Sequence, residues 1–224
     1  MSTNLINTGI LGLVFLLLFV LSEVLYRYFN LRAEWTRKMV HILTGFIALS
    51  FPLLIGDHWI VMALCTVFFF VLKVAKRLEY LPSINGISRK SSGGILYPIA
   101  VYSCFAFQQY MGNVAYFYLP LLILAVCDPL AAVIGLKRGV RAFPFTRGKK
   151  TWVGSMVFFI SALLISGLYL SWASSLALTT VLIVSLIIAI GATLAEVFVQ
   201  NGYDNISIPL SVVSVLFITQ PLMF

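Results

Sequence analysis

Charge is what this sequence has least of. Asp, Glu, Lys and Arg make up 10% of its 224 residues, against 61% for hydrophobic residues, and the mean hydropathy is +1.04. A soluble domain carries about 25% charged and about 45–50% apolar residues, so this chain could not cover a water-facing surface. The same shortage excludes intrinsic disorder, a coiled coil and a nucleic-acid-binding domain, and no nucleic-acid partner is expected. Cysteine is scarce too. The three present, Cys65, Cys104 and Cys127, fall inside apolar stretches without C-x-x-C spacing, so no disulfide framework or zinc site is implied. No Lys or Arg precedes Arg27, and no small-residue cleavage site follows the first apolar run. That segment reads as a retained helix and not as a secretory signal.

Long apolar runs are what the chain has. A spanning helix needs about 20 mostly apolar residues, and eight candidates occur, at about 5–25, 39–55, 58–75, 93–110, 114–136, 153–170, 174–197 and 206–222. The pattern predicts an all-α, polytopic transmembrane helical bundle of about eight spans, a single integral membrane domain over 1–224. All fifteen Lys and Arg residues lie in or next to three alternate connections: 27–38, 73–90 and 137–150. The other connections, around Gly56, Gly112 and Ser171, carry none. The positive-inside rule makes the basic loops cytoplasmic, which puts both termini outside. Six of the seven acids map to the same side, Asp57 being the exception. Polar chemistry is therefore expected to face the cytoplasm.

Four clusters on that side could carry it. Arg37, His41 and Gly45 share a helical face, with Lys38 beside them and Glu34 just before. Arg and Lys there suit phosphate and His41 a proton; anchoring of a helix end is the alternative. Asp128 lies within an apolar helix, about 12 Å below the basic loop at 1.5 Å per residue. A carboxylate at that depth costs about 2.5–3.5 kcal/mol and is a functional site by default. With Pro129 next, Asp128 as N-cap would restart a half-helix, offering free N–H groups to an anion; a Mg²⁺ ligand and a neutral, hydrogen-bonded kink are the other readings. Ala131, Ala132 and Gly135 are mirrored by Gly191, Ala192 and Ala195. Contact between those small faces would bring Asp128 and Glu196 to one cavity. The loop from Lys137-Arg138 to Lys149-Lys150-Thr151 has the Gly, Lys and Thr content of a phosphate cradle without being a Walker A motif; a solvated basic loop is its plainer reading. Glu196, Gln200, Asn201, Asp204 and Asn205 form the only acidic connection, suited to a metal or a ribose, with N-capping as the alternative for Asp204 or Asn205.

In this order the segments EWTRKMVHILTG (34–45), DPLAAVIGLKRG (128–139), GKKTWVGS (148–155) and AEVFVQNGYDNISIPL (195–210), with SRKSSGGILYPIAV (88–101) more weakly, resemble the membrane polyprenol kinases. That family includes phytol kinase, dolichol kinase and CTP-dependent diacylglycerol kinase, and is distantly similar to phosphatidate cytidylyltransferase. The resemblance implies Mg²⁺-dependent transfer of the γ-phosphate of CTP to a lipid alcohol: phytol, farnesol, geranylgeraniol, a polyprenol or diacylglycerol. It implies catalytic roles for Asp128, His41 and Lys149. Nucleotide and phosphate contacts would come from Arg37, Lys38, Lys137, Arg138, Lys149, Lys150, Thr151 and Asn205. Metal ligands would come from Asp128, Glu196 and Asp204. A bacterial inner membrane is the expected location. CDP-lipid synthesis is the first alternative, although the further acids of the cytidylyltransferases are missing beside Asp128, where Cys127 and Leu130 stand. A proton-coupled transporter using Asp128 and Glu196 is the second, and a nonenzymatic membrane scaffold the third.

Overall fold

The structure, a computed structural model, describes residues 2–86, 91–138, 141–146 and 150–223. Helices occupy all eight predicted apolar segments. In chain order they are α1 (Ser2–Arg27), α2 (Ala33–Ala48), α3 (Phe51–Leu54), α4 (His58–Arg77), α5 (Pro82–Asn85), α6 (Gly93–Met111), α7 (Ala115–Leu122), α8 (Asp128–Arg138), α9 (Trp152–Ala173), α10 (Leu178–Phe198), α11 (Asp204–Ile218) and α12 (Gln220–Met223). One π-helical turn, Ile123–Cys127, joins α7 to α8 without a break. Among the described residues, six helical stretches are long and apolar enough to cross a membrane, with α2–α3 and α7–α8 each counting as one. The remaining two of the eight predicted segments fall short. Helix α11 has 15 residues, and α6 is diluted by Gly93, Gly94, Gln108 and Gln109. The apolar helices make this an integral membrane protein, and Leu13, Leu168, Trp172 and Leu182 are among many large apolar side chains left exposed on the bundle's outside.

Two local departures from the sequence pattern matter for the site. Helix α2 starts at Ala33, so Glu34, Arg37 and Lys38 lie on its first turns and not ahead of the apolar run. It stops at Ala48 and resumes as α3 with Pro52 in the first turn, because proline lacks the N–H that would continue the ladder and crowds the carbonyl four residues back. The second departure is the π turn. Asp128 is not an N-cap: its φ of −64° and ψ of −49° are helical, and no half-helix restarts there. Pro129 has no N–H to give, and the turn just before it absorbs the mismatch by shifting the hydrogen-bond register from i−4 to i−5. The Leu124 carbonyl, five residues before Pro129, instead accepts a hydrogen bond from His41 Nε2 at 3.0 Å.

Small residues set the close helix approaches. A Cβ on Gly45 would stand 2.4 Å from Ala125 Cβ and 2.7 Å from the Tyr97 hydroxyl, so this glycine lets α2 lie directly on the π turn. A Cβ on Gly135 would stand 3.1 Å from Gly154 Cα, which seats α8 on α9. The small faces of α8 and α10 each pack chiefly on another helix. Helix α8 packs on α9, while α10 packs on α9 and α11, and Gly191 of α10 approaches Ser211 and Val215 of α11.

Replacing Gly45 with Ala should therefore overpack the α2–π-turn contact and cost about 1–3 kcal/mol. Gly9→Ala, with nothing within 4 Å of the new Cβ, should not. Thermal unfolding in detergent should show a lowered midpoint for the first variant only.

Candidate functional site

A single ammonium gathers the polar end of the bundle. Lys150 Nζ lies 2.5 Å from Glu196 Oε1, 3.2 Å from Asp204 Oδ2 and 4.0 Å from Asp128 Oδ1. These carboxylates come from the ends of α10, α11 and α8. The other Glu196 oxygen accepts a hydrogen bond from Ser155 Oγ at 3.1 Å. Burial alone would depress the Lys150 pKa, but the charges of Asp128, Asp204 and Glu196 outweigh it and hold the amine above the ordinary lysine value. Lys150 is thus a permanent cation at any physiological pH.

The chain around Lys150 is pinned from both sides. Phe143 N–H donates to the Lys150 carbonyl at 3.0 Å, and Trp152 N–H donates to the Arg141 carbonyl at 3.1 Å, an antiparallel bridge pairing Ala142 with Thr151. Thr151 Oγ1 then accepts from Gly154 N–H at 3.1 Å and caps α9. The hydroxyl predicted to hold phosphate is thus the N-cap of α9, and the positive end of the helix dipole opens beside Lys150.

Across from this cluster, the starts of α2, α6 and α11 are tied together. Arg37 donates to Ser91 Oγ at 2.7 Å, and Lys76 Nζ donates to the Ser91 carbonyl at 2.6 Å. Asn205 Nδ2 donates to the Gly93 carbonyl at 2.8 Å. Ser92 N–H donates to the Asn201 carbonyl at 2.8 Å. Gly202 permits this closeness: its φ is +90°, and a Cβ there would stand 2.1 Å from Gly93 N.

Lys150 and its three carboxylates, together with Arg37, Ser91 and Asn205, line one cavity of about 400 Å³. Of the residues predicted from sequence, Arg37, Lys38, His41 and Asp128 line it. Lys150, Thr151, Glu196, Asp204 and Asn205 line it as well. Lys137 and Arg138 do not. They lie exposed at the end of α8, and Lys137 Nζ sits over the Trp35 ring at 5.5 Å. Lys149 lies outside the described residues. Sequence reasoning gave no role to Ser155, Ser91 or Tyr97, all on the cavity wall. All three lie within the segments 148–155 and 88–101 that carried the resemblance. His41 is held by its Nε2–H, since a carbonyl can only accept, and by an edge-on contact with Tyr97 at 4.8 Å. Its Nδ1 is the nitrogen left for an acceptor role.

Among the described residues, no three of His, Cys, Asp and Glu gather closely enough to hold a metal ion unaided. The three carboxylates around Lys150 leave a formal charge of −2 (three negatives against one positive). Truncating the amine would strand buried charge, so Lys150→Met should cost about 3–5 kcal/mol. The double variant Lys150→Met with Glu196→Gln should recover part of it, read as thermal midpoints in detergent.

No family model and no solved structure matches the chain. Curated relatives do. Phytol kinase of Synechocystis sp. is 30% identical over 190 residues, 84% of this chain and 81% of that protein. A probable chloroplastic phytol kinase of Triticum aestivum is 37% identical over 98 residues, 41% of this chain and 32% of that one. A probable chloroplastic phytol kinase 2 of Glycine max is 34% identical over 98 residues, 41% and 33% of the two chains. With the Synechocystis match covering more than four fifths of both proteins, the chain belongs to the phytol kinase family.

Proposed function

We propose that this protein is a lipid-alcohol kinase that transfers the γ-phosphate of CTP, with Mg²⁺, to a prenol or a related alcohol dissolved in the membrane. The observation that carries the reading is one cavity with two characters. Its polar end holds Asp128, Lys150, Glu196 and Asp204, and its apolar end holds Phe15, Phe51 and Phe68. A phosphorylated nucleotide suits the first and a hydrocarbon the second. The relatives named phytol kinase support the same chemistry.

The donor set fits the metal. Mg²⁺ takes oxygen ligands and is usually held by one or two carboxylates together with substrate phosphates and water, not by an all-protein cage. Asp128, Glu196 and Asp204 offer carboxylate oxygens and a surplus of negative charge, and they would share the ion with the nucleotide. When bound, the metal neutralises and orients the transferring phosphate. Lys150, Lys149, Arg37 and Lys38 would neutralise the remaining phosphate charge, with the α9 N-terminus behind Lys150. The hydroxyl oxygen attacks the γ-phosphorus in line, an O–P bond forms, the bond to the β–γ bridging oxygen breaks, and CDP leaves. His41 Nδ1 would take the hydroxyl proton, its Nε2–H being held by the Leu124 carbonyl.

By the positive-inside rule we assign the polar end to the cytoplasmic face, with both termini on the other side, in a bacterial inner membrane. A nucleotide would then arrive from the cytosol and the alcohol from the bilayer.

Purified protein in nanodiscs, given γ-labelled or α-labelled CTP, Mg²⁺ and a panel of lipid alcohols with phosphatidate, should place γ label in a lipid monophosphate. Label from the α position in a CDP-lipid would move the protein to cytidylyl transfer. Asp128→Asn should lower the γ transfer by about 10²-fold or more at an unchanged thermal midpoint, and near-normal turnover in that variant would remove Asp128 from the reaction.

A further inference from the structure

We propose that the Lys150 ammonium is a displaceable counter-ion. In the free protein it fills the space between Asp128, Glu196 and Asp204 and keeps a divalent cation out; the phosphates of an incoming nucleotide draw it off, so that cation and nucleotide enter the site together. This rests on the kinase reading above and adds the order in which that site is filled.

Lys150 Nζ stands 2.5 Å from Glu196 Oε1, 3.2 Å from Asp204 Oδ2 and 4.0 Å from Asp128 Oδ1. One small cation thus sits where carboxylates from three helices converge. Mg²⁺ needs oxygens at about 2.0–2.1 Å, and among the described residues no three of His, Cys, Asp and Glu gather closely enough to hold an ion unaided. A dication would have to take the place that the ammonium holds. The charges favour that exchange: the trio carries −2 with the ammonium and would carry −1 with a dication (three negatives against two positives). What opposes it is the amine itself. The Lys150 side chain is only 14% exposed, and a buried ammonium pulled from its carboxylates is left without a partner, which is what makes breaking a buried pair costly.

The rest of the cavity wall is poor in anions. Among the described residues Glu34 is the one further carboxylate lining it, and it stands one helical turn from Arg37 and Lys38 on α2. A nucleotide changes this by bringing phosphate oxygens, which form charge-assisted hydrogen bonds with an ammonium. The chain is built to let Lys150 turn toward them. Its backbone is fixed: its N–H donates to Thr146 Oγ1 at 3.3 Å, its carbonyl accepts from Phe143 N–H at 3.0 Å, and Thr146 is itself buried. Its ammonium, by contrast, ends a flexible four-carbon stem on the cavity wall. Lys150 can therefore exchange carboxylate for phosphate while α9 stays in place. Coupling of this kind is reciprocal: the cation strengthens nucleotide binding by the same factor by which the nucleotide strengthens cation binding.

The test uses Mn²⁺ as a paramagnetic probe, with β,γ-methylene-CTP as a nucleotide that cannot transfer its γ-phosphate, on the protein in phosphatidylcholine nanodiscs. Without nucleotide, electron paramagnetic resonance of free Mn²⁺ should show no binding by the unaltered protein below millimolar concentrations. The Kd of the nucleotide should be at least about tenfold lower with Mn²⁺ than with EDTA. Lys150→Met should bind Mn²⁺ alone at least about tenfold more tightly than the unaltered protein. Mn²⁺ alone should also raise the thermal midpoint of that variant and leave the midpoint of the unaltered protein where it was. Lys150→Gln, which also removes the charge, makes the same comparison if the methionine variant does not fold. Micromolar binding of Mn²⁺ by the unaltered protein without nucleotide would overturn the proposal, and so would the absence of any gain in Mn²⁺ affinity on removing the amine. Such binding alongside γ transfer from CTP would leave the kinase reading standing without this one. Mn²⁺ excluded by the unaltered protein and admitted by the variant, with no nucleotide bound under any condition, would keep Lys150 as the counter-ion and overturn both the kinase reading and the nucleotide as the trigger.

Discussion

The positive charge of Lys150, enclosed by carboxylates from three different helices, is the constraint on which the polar end depends. Asp128, Glu196 and Asp204 are 68 and 76 residues apart from first to second and first to third (196 − 128 and 204 − 128), and no local propensity brings them together. A carboxylate withdrawn from water needs a partner, and here three share one. That requirement fixes where the 141–152 loop must fold back, and the backbone bonds from Phe143 and Trp152 supply the fold-back. The close seat of Gly135 on the Gly154 turn follows from it, since only glycines let α8 and α9 approach enough for Asp128 to see the amine.

Helix α2 links this electrostatic centre to the rest of the bundle. Its second turn carries the cations, its middle carries the histidine that closes the π turn, and its last turn reaches the aromatic floor. One helix face therefore sets the distance between the charged site and the apolar end of the cavity. Gly45, on the opposite side of His41 from the charges, keeps that helix against the π turn and so keeps the imidazole within reach of the Leu124 carbonyl.

The helical bundle was legible because apolar length is a direct physical requirement of a bilayer, and every predicted segment became helix. Asp128, Glu196 and Asp204 were legible as partners because a charge in an apolar run must have a reason to be there. What the sequence hid was pairing. Lys150 looked like one more cation of a basic loop, and nothing in its neighbours Lys149 and Thr151 says that it turns inward to carboxylates. Lys137 and Arg138 looked equally placed for phosphate, yet they continue the exposed face of α8 and remain off the cavity. Pro129 suggested a broken helix, because proline removes a hydrogen bond; the actual remedy, a one-turn change of register with a histidine from another helix filling the gap, depends on a contact 83 residues away in sequence.

That π turn makes one residue's worth of chain length a matter of direction. Relative to an uninterrupted α-helix, Ile123–Cys127 accommodates one additional residue, and each residue turns the helix face by about 100°. The segment before the turn and the segment after it are thereby clocked against each other. Apolar side chains of α7 can face the bundle core while, past the turn, Asp128 faces the charged cavity. Loss of a single residue from 123–127 would keep the hydrophobic length and composition almost intact, yet it would rotate the whole of α8 away from Lys150 and α9. In this protein the azimuth of the buried carboxylate is set by the local count of residues as firmly as by their identity.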